Sequence, residues 1–333
     1  MDYLLVKDIS KLQMHIYVLG YYPMGESILA IVWDKEEQLV YKSILIDCFE
    51  NNGYNQMDLI LKQYKINTNK LDYIIWTHPD YDHSVGFSNI ISKYSSKKTL
   101  FLLPDGFSKF ILRPSSLKIF KSIISVCKTY LSYKNNIEQV NTSNRRKSPI
   151  IYGSTEFIDG YHDNLEFDIE ILTPFANQVF SKTQINKTSK PNDISISLMI
   201  RFGKQNFYFG GDTEDLAINM IEEERIHNII FIKIPHHSSS TSQILPVRLC
   251  SIKGNGNMGE AISVSTSFVS NKTQLPDLEV LDKYRPFSSH ILITDNREQR
   301  RNHYGMWKFV YNIRPQIIER PVPLGDTFEY HAV

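Results

Sequence analysis

The N-terminal part of the chain alternates between short apolar runs and polar turns, a pattern typical of β-strands. Two apolar runs, at 14–19 and 27–32, are separated by a turn that contains Gly20, Pro23 and Gly25. Glycine and proline interrupt regular structure and favour tight turns. The pattern therefore predicts a β-hairpin.

A third strand, a helix and a further strand are predicted after the hairpin. The strands fall at 42–48 and 71–76, and the helix falls at 55–64, where apolar residues recur at helical spacing. Strands that are buried on both faces need helices to cover them. This order predicts a layered α/β (α+β) sandwich and places His78 at the end of a buried strand.

The rest of the chain continues this mixture of elements. A helix is predicted at 275–284, and further strands at 166–172, 194–202, 205–209, 228–234, 261–266 and 290–294. The stretch at 108–150 is rich in Ser, Lys and Asn, and we interpret it as an insertion of one or two surface helices and a loop. We find no internal repeat, and we expect a single domain over 1–333.

Composition and charge fit a folded protein without a strongly charged surface. Hydrophobic residues make up 42% of the chain, and 37 Lys and Arg nearly balance 36 Asp and Glu. A net charge of +1 provides no global field for a nucleic acid or an anionic membrane, so any phosphate must be held locally. We find no export signal and no apolar run long enough to span a membrane. The three cysteines form no CxxC pair, which fits a reducing cytoplasm.

The loop after the strand at 71–76 holds two imidazoles and two carboxylates, from His78, Asp80, Asp82 and His83. Imidazole nitrogen and carboxylate oxygen are ligands of zinc, manganese and iron. Their close spacing would let one loop bind two ions about 3.5–4 Å apart. The alternative interpretation is a solvated polar turn that happens to be rich in His and Asp.

Two later segments favour the metal interpretation. Residues 210–212, Gly-Gly-Asp, follow a predicted strand, so the glycines permit a sharp turn and Asp212 lies at the strand's carboxyl end. His236 and His237 follow the strand at 228–234 in the same way. A carboxylate at such an edge can bridge two metal ions. We therefore expect three strand ends with metal-ligating residues to converge on one edge of the sandwich.

These segments together resemble the metallo-β-lactamase superfamily. Residues 77–86 resemble its HxHxDH signature, residues 210–212 its bridging-aspartate motif, and residues 236–238 its late histidine motif. Residues 46–48 also resemble a strand of the family. The resemblance is strongest to the hydrolase domain of the competence protein ComEC, and it covers about residues 12–296 except the insertion. It implies a four-layer αββα sandwich with a two-metal hydrolytic site at the sheet edge.

The resemblance also implies a role for each residue of the site. The implied metal ligands are His78, Asp80, Asp82, His83, Asp212 and His237, with His236 as the alternative to the last. The first two would hold one ion, Asp82 and His83 the other, and Asp212 would bridge them. The ions would be two divalent cations, zinc or manganese, with iron as a further candidate. They would lower the pKa of a bridging water from near 16 towards about 7, and Asp82 would orient the resulting hydroxide. Asp82 and Asp212 are thus the implied catalytic residues.

Three positions bear on how far this pattern extends. Asp80 stands where the family has its second histidine, and a carboxylate there favours manganese or iron relative to zinc. His162 is the one histidine between His83 and Asp212, and we expect a loop residue rather than a ligand. Cys48 stands where the family has glycine, and we expect it to pack in the core rather than to act as a nucleophile.

Candidate substrate contacts lie next to the late histidine motif. The nearest cationic and hydroxyl groups in sequence are Lys233, Ser238, Ser239 and Ser240. A lysine within a strand, however, more often faces solvent. The basic cluster at 145–147 could contact a nucleic-acid backbone, and the basic and aromatic cluster at 297–304 could stack on bases. Exposed charge on a loop is more often only solvated, and arginine with aromatic neighbours equally suits a packed helix.

These observations predict a metal-dependent hydrolase, and within that class a phosphodiesterase that acts on a nucleic acid or a (cyclic) nucleotide. The near-neutral charge argues against a processive nuclease. A non-phosphate hydrolase, such as a lactonase or thioesterase, is the alternative within the superfamily. A degenerate metal site that binds or regulates a partner protein is the alternative outside enzymes, and Asp80 keeps it open. We expect a cytoplasmic protein without membrane contact, and the sequence does not identify a protein partner.

Overall fold

The described residues form a mixed α/β fold. A computed structural model describes residues 1–106, 114–131, 136–142, 149–161, 163–180, 191–252, 259–295 and 301–331. The strands in chain order are β1 (Asp2–Leu5), β2 (Leu12–Tyr21), β3 (Glu26–Asp34), β4 (Leu39–Ile46), β5 (Tyr73–Ile75), β6 (Leu100–Pro104), β7 (Ile137–Val140), β8 (Ile150–Ile158), β9 (Asn164–Ile171), β10 (Leu198–Phe202), β11 (Gln205–Phe209), β12 (Ile229–Lys233), β13 (Ala261–Ser265), β14 (Phe268–Val269), β15 (Gln274–Leu275), β16 (Ser288–Ile293), β17 (Tyr304–Asn312), β18 (Ile317–Ile318), β19 (Val322–Gly325) and β20 (Phe328–Glu329). The helices are α1 (Gln56–Gln63), α2 (Ile66–Asn69), α3 (Phe87–Tyr94), α4 (Pro114–Tyr130), α5 (Ala176–Phe180), α6 (Asp215–Met220), α7 (Ile244–Ser251) and α8 (Leu278–Asp282).

Two nine-stranded sheets organise these elements. The first sheet has the order β18-β17-β2-β3-β4-β5-β6-β7, and β19 also pairs with β17. The second sheet has the order β1-β8-β9-β10-β11-β12-β13-β16-β20. The mixed α/β class predicted from the sequence is confirmed.

Three large hydrophobic cores join the sheets and helices. One lies between the two sheets and brings Ile16 and Ile44 of the first sheet together with Phe231 of the second. Another lies between the first sheet and helices α1, α3 and α4, and the third lies between the second sheet and helices α6, α7 and α8. Each sheet is therefore covered by the other sheet on one face and by helices on the opposite face.

Strand β2 illustrates how the apolar pattern produces this arrangement. Met14, Ile16 and Val18 belong to the core between the sheets, whereas Tyr17 and Leu19 belong to the core under the helices. Successive side chains of a strand point to opposite faces. A strand covered on both faces therefore needs a nearly unbroken apolar sequence, and β2 has one.

Helix α1 confirms the helix predicted at 55–64. The side chain of Asn55 accepts a hydrogen bond from the backbone N–H of Met57 at 3.0 Å, which caps the first turn. Met57, Ile60 and Leu61 are buried against the first sheet. The helical spacing of these three residues thus corresponds to one buried face.

The strand predicted at 194–202 begins only at Leu198. Residues Pro191–Ile194 form a 3-10 turn instead. The backbone N–H of Ile196 donates to the carbonyl of Thr77 at 2.9 Å, so this segment bonds to a loop of the other sheet as well as to the residues that follow β9. The apolar pattern also does not predict β6, β8 or β17.

The insertion at 108–150 is only partly as expected. It contains the predicted helix, α4, but Ile123 and Cys127 of that helix are buried and it also contains strand β7. The basic residues 145–147, residues 297–300 and His162 lie outside the described residues. Tyr304 opens strand β17, so the packed-helix alternative for the second basic cluster is wrong at this position.

Strand direction brings several loops to one edge of the fold. Strands β4 and β5 are parallel neighbours, as are β11, β12 and β13. The carboxyl ends of parallel strands lie at the same edge of a sheet, and the Ile196–Thr77 hydrogen bond joins the two sheets there. Among the described residues, no helix combines the length and the apolar character that a membrane crossing requires.

Candidate metal centre

Five of the predicted metal ligands come together at this edge. His78 follows β5, Asp82 and His83 lie in the loop after it, Asp212 follows β11, and His237 follows β12. All five side chains are buried. The expectation that three strand ends converge is therefore met by the geometry of the chain.

Besides the neighbouring group of Glu26, Asp47 and His83, two overlapping groups within this cluster could hold a metal ion. One consists of His78, His83 and Asp212, and the other of Asp82, His83 and His237; within each group the ligand atoms lie within 4.8 Å of one another. In the second group, Asp82 Oδ2 is 3.3 Å from His237 Nε2 and 3.5 Å from His83 Nε2. His83 Nε2 and His237 Nε2 are 3.4 Å apart.

Asp212 belongs to the first group and also lies close to His237 of the second. Its Oδ2 is 3.5 Å from His78 Nε2, whereas its Oδ1 is 3.5 Å from His83 Nε2 and 3.6 Å from His237 Nε2. Each carboxylate oxygen thus faces a different side of the cluster. Asp212 therefore contacts histidines of both groups.

Gly211 allows Asp212 to take this position. The φ of Gly211 is +50°, and a Cβ at this residue would lie 2.4 Å from the carbonyl oxygen of Ile196. A side chain would therefore both strain the backbone and collide with it. The backbone N–H of Asp212 donates to Ser195 Oγ at 3.0 Å, which completes the turn.

Asp47 orients two of the histidines. Its Oδ2 accepts hydrogen bonds from His83 Nδ1 at 2.7 Å and from Thr77 Oγ1 at 2.6 Å. Because the Thr77 hydroxyl gives its hydrogen to Asp47, its oxygen can only accept from His78 Nδ1, 3.0 Å away. Both imidazoles are therefore protonated on Nδ1 and turn Nε2 towards the cluster, which is the usual arrangement of metal-binding histidines.

The remaining predicted residues lie at the margin of the cluster. Asp80 is half-buried, with Oδ2 3.9 Å from His78 Nε2, and it belongs to neither group. His236 Nε2 is 3.0 Å from Asn192 Nδ2 and 3.9 Å from Asp212 Oδ2, so it lies beside the cluster rather than within it. The distances thus favour His237 over His236 as the ligand.

A lysine in a strand usually faces solvent, but Lys233 does not. Its side chain is fully buried, and Nζ forms an ion pair with Glu26 Oε2 at 2.7 Å. It therefore offers no exposed cation for the predicted substrate contact. Ser238 is also buried and donates to Ser265 Oγ at 2.8 Å, whereas Ser239 is half-buried and Ser240 is exposed at the rim.

Electrostatics in the cluster favour a positive charge at its centre. Burial lowers the pKa of His78 to about 3. Burial also lowers the pKa of His83, but Asp212, Asp82 and Asp47 outweigh it and raise that pKa well above the usual value. For Asp82 burial acts to raise the pKa, yet His83 and His237 bring it below its ordinary value. Carboxylates that remain ionised at such depth attract cations.

Neither protein-family models nor curated proteins match this sequence. What the cluster can do is therefore inferred from its own residues and distances.

Asp47, Glu26 and Thr266 lie at the site although the sequence predicts no role for them, and Asp47 belongs to residues 46–48, which resemble a strand of the family. Asp47 ends an apolar strand and Glu26 begins one, so a carboxylate in an otherwise apolar run is the signal that could have found them. Thr266 has no such signal. Cys48 is buried, as expected, and burial raises its pKa to about 12; its backbone N–H donates to the carbonyl of His83 at 3.0 Å.

Proposed function

We propose that this chain is a metal-dependent hydrolase of the metallo-β-lactamase type that acts on phosphoesters. The observation that carries the proposal is a set of buried ligand atoms without partners. His78 Nε2 and Asp212 Oδ1 have no hydrogen-bond partner among the described residues, although both are shielded from solvent. A buried polar atom without a partner costs about 1–3 kcal/mol, so two such atoms within one cluster of His and Asp side chains support a bound metal ion there.

The spacing of the ligand atoms fits a metal ion. Ligands that bind one ion tetrahedrally at about 2.1 Å lie about 3.4 Å from each other. The distances from Asp82 to His237, from His83 to His237 and from Asp212 to both histidines run from 3.3 to 3.6 Å. These contacts are too long for strong hydrogen bonds and match the spacing expected around an ion.

The formal charge of the cluster fits two divalent ions. The carboxylates within 4 Å of the ligand histidines or of Lys233 are Glu26, Asp47, Asp80, Asp82 and Asp212, and the ammonium group is that of Lys233. Together they carry four net negative charges, which two divalent cations would neutralise. Zinc and manganese both accept imidazole and carboxylate ligands.

The arrangement of layers supports the same family. Two sheets share a core and each carries helices on its other face, as a four-layer αββα sandwich does. The site lies at the carboxyl ends of central strands from both sheets. Because one fold serves many reactions, the reaction is proposed from the site and not from the fold.

The residues of the site would have separate roles in hydrolysis. His78 and Asp212 would hold one ion, with Asp80 at the margin as its further ligand, and Asp82, His83 and His237 would hold the other, with Asp212 shared. Bound there, two divalent cations would supply Lewis-acid chemistry, which polarises a phosphoryl oxygen and lowers the pKa of water. The carboxylate of Asp82 would orient the attacking water.

The rim of the cluster offers neutral donors for a substrate. Ser239 and Asn192 lie there close to His236, and their hydroxyl and amide groups can donate to phosphoryl oxygens, whereas the Thr241 hydroxyl donates to Glu214. Lys233, the predicted cationic contact, is buried and paired with Glu26 and does not reach this rim. A compact phosphodiester therefore suits the site better than a long duplex, which normally needs a basic track.

The test combines metal analysis with turnover of bis-p-nitrophenyl phosphate, with and without added Mn²⁺ or Zn²⁺. His78→Ala and Asp212→Asn should each lose metal and at least about 100-fold in turnover. His227→Ala, which changes an exposed histidine just before β12, is the matched control and should leave both unchanged. Wild-type protein that takes up no metal and stays inert would refute the proposal.

A substrate panel then separates the candidate reactions. Cyclic dinucleotides, single-stranded DNA and plasmid test the phosphodiesterase, and a lactone and a thioester test the alternative hydrolases. Protein that binds metal but turns over none of these would favour the non-catalytic alternative.

A further inference from the structure

A buried ion pair lies behind His237, on the side of the ring that faces away from the other ligands. Glu26 is in β3 of the first sheet and Lys233 is in β12 of the second, and both side chains are fully buried. Glu26 Oε2 is 2.7 Å from Lys233 Nζ. A buried ion pair rarely adds net stability, because both charges must be removed from water. The pair therefore calls for a role other than stabilising the fold.

Thr266 connects this pair to His237. Its Oγ1 donates to Glu26 Oε2 at 2.5 Å, since a carboxylate can only accept. The Thr266 oxygen then has only lone pairs for His237 Nδ1, 2.9 Å away. His237 must therefore carry its hydrogen on Nδ1. Its Nε2 is left to face Asp82 at 3.3 Å and Asp212 at 3.6 Å.

Lys233 fixes the carboxylate that begins this chain of hydrogen bonds. The ammonium group shares Glu26 Oε2 with Thr266, and it also donates to the backbone carbonyl of Ile234 at 3.0 Å. Ile234 is three residues before His237. The pair thus ties the strand that carries His237 to the opposite sheet at the point where the ring must be oriented.

We propose that Glu26, Lys233 and Thr266 are positioning residues that set the tautomer and orientation of His237 for metal binding. The role in metal binding rests on the proposed function, whereas the hydrogen bonds that orient His237 do not. Asp47 orients His83 and His78 in the same way, so carboxylates of the first sheet would direct all three imidazoles.

The decisive test compares Thr266→Val with Thr294→Val. Thr294 follows β16, the neighbour of β13, and it is also buried, but its hydroxyl has no hydrogen-bond partner among the described residues. Both changes remove a buried hydroxyl and preserve side-chain shape. We expect that only Thr266→Val changes the tautomer of His237, and that Thr266→Ser retains the wild-type tautomer.

Two measurements test this expectation, one of the His237 tautomer and one of the Zn²⁺ affinity. Nitrogen-15 NMR of the histidine rings, in protein treated with chelator, should show His237 protonated on Nδ1 in the wild type and in Thr294→Val. Thr266→Val should lose this preference. Calorimetric titration with Zn²⁺ should show an affinity about 10–100-fold weaker for Thr266→Val and unchanged for Thr294→Val. Thr266→Ala replaces the valine variant if the latter does not fold.

The two proposals fail in different ways. A wild-type protein that binds no Zn²⁺ would count against the metal centre, while the NMR comparison would still decide whether Thr266 sets the tautomer. A wild-type His237 protonated on Nε2, or an identical His237 spectrum in the wild type and Thr266→Val, would overturn the positioning role.

Discussion

The clearest prediction concerns Asp47→Asn, which replaces one acceptor oxygen of a buried carboxylate by a donor. Asp47 Oδ1 accepts from the backbone N–H of Thr77 at 2.8 Å, and Oδ2 accepts from both Thr77 Oγ1 and His83 Nδ1. An amide nitrogen at the Oδ2 position would face two donors, whereas at the Oδ1 position it would face one. The amide oxygen should therefore replace Oδ2 and leave the Thr77 N–H without an acceptor.

The structure sets the size of the two effects. A buried N–H that loses its acceptor costs about 1–3 kcal/mol of folding free energy. The loss should lie near the lower end, because burial raises the pKa of Asp47 and the carboxylate is itself costly to bury. The bond to His83 survives but is no longer charge-assisted, so metal affinity should fall about 10–100-fold.

Asp72→Asn is the matched control for this experiment. Asp72 Oδ2 accepts from the backbone N–H of Ser43 at 2.8 Å and from Ser43 Oγ at 2.9 Å, and burial raises its pKa as well. It joins the same two strands, β4 and β5, at the end away from the metal cluster. Urea denaturation should show a comparable loss of stability for both variants, whereas calorimetry with Zn²⁺ should show weaker binding only for Asp47→Asn. Equal Zn²⁺ affinity in the two variants would refute the orienting role of Asp47.

Three further substitutions test the roles of Gly211, His15 and Asp80. Gly211→Ala should destabilise the protein by at least about 1–3 kcal/mol and reduce its metal content, because the residue has a positive φ and its Cβ would collide with Ile196; thermal unfolding and metal analysis would show this. Burial lowers the pKa of His15 from 6.5 to about 3. The contribution of His15 to the free energy of unfolding is therefore complete above pH 6.5. It decreases by about 1.4 kcal/mol per pH unit as the pH falls from 6.5 towards 3. His15→Gln should flatten this slope in urea denaturation between about pH 7 and pH 5, and an unchanged slope would contradict it. Asp80→His should raise the ratio of Zn²⁺ to Mn²⁺ affinity several-fold in competitive titration, and an unchanged ratio would count against Asp80 as a ligand.

Much of the fold follows from local pattern. Apolar runs with the period of a strand predict β2, β3, β5 and β11, and helical spacing predicts α1, because each pattern records which faces of an element are covered. The candidate ligands are also visible in sequence, since they follow such runs directly. Strands such as β6, β8 and β17 are not predicted.

The tertiary structure decides which distant residues meet. Strand β17 pairs with β2, and Glu26 meets Thr266 across 240 positions of sequence. The structure also distinguishes His237 from its neighbour His236, and it turns Lys233 from an expected surface group into half of a buried ion pair. Periodicity records burial but not the identity of the partner, because the packing of one sheet on the other determines which polar groups must satisfy each other.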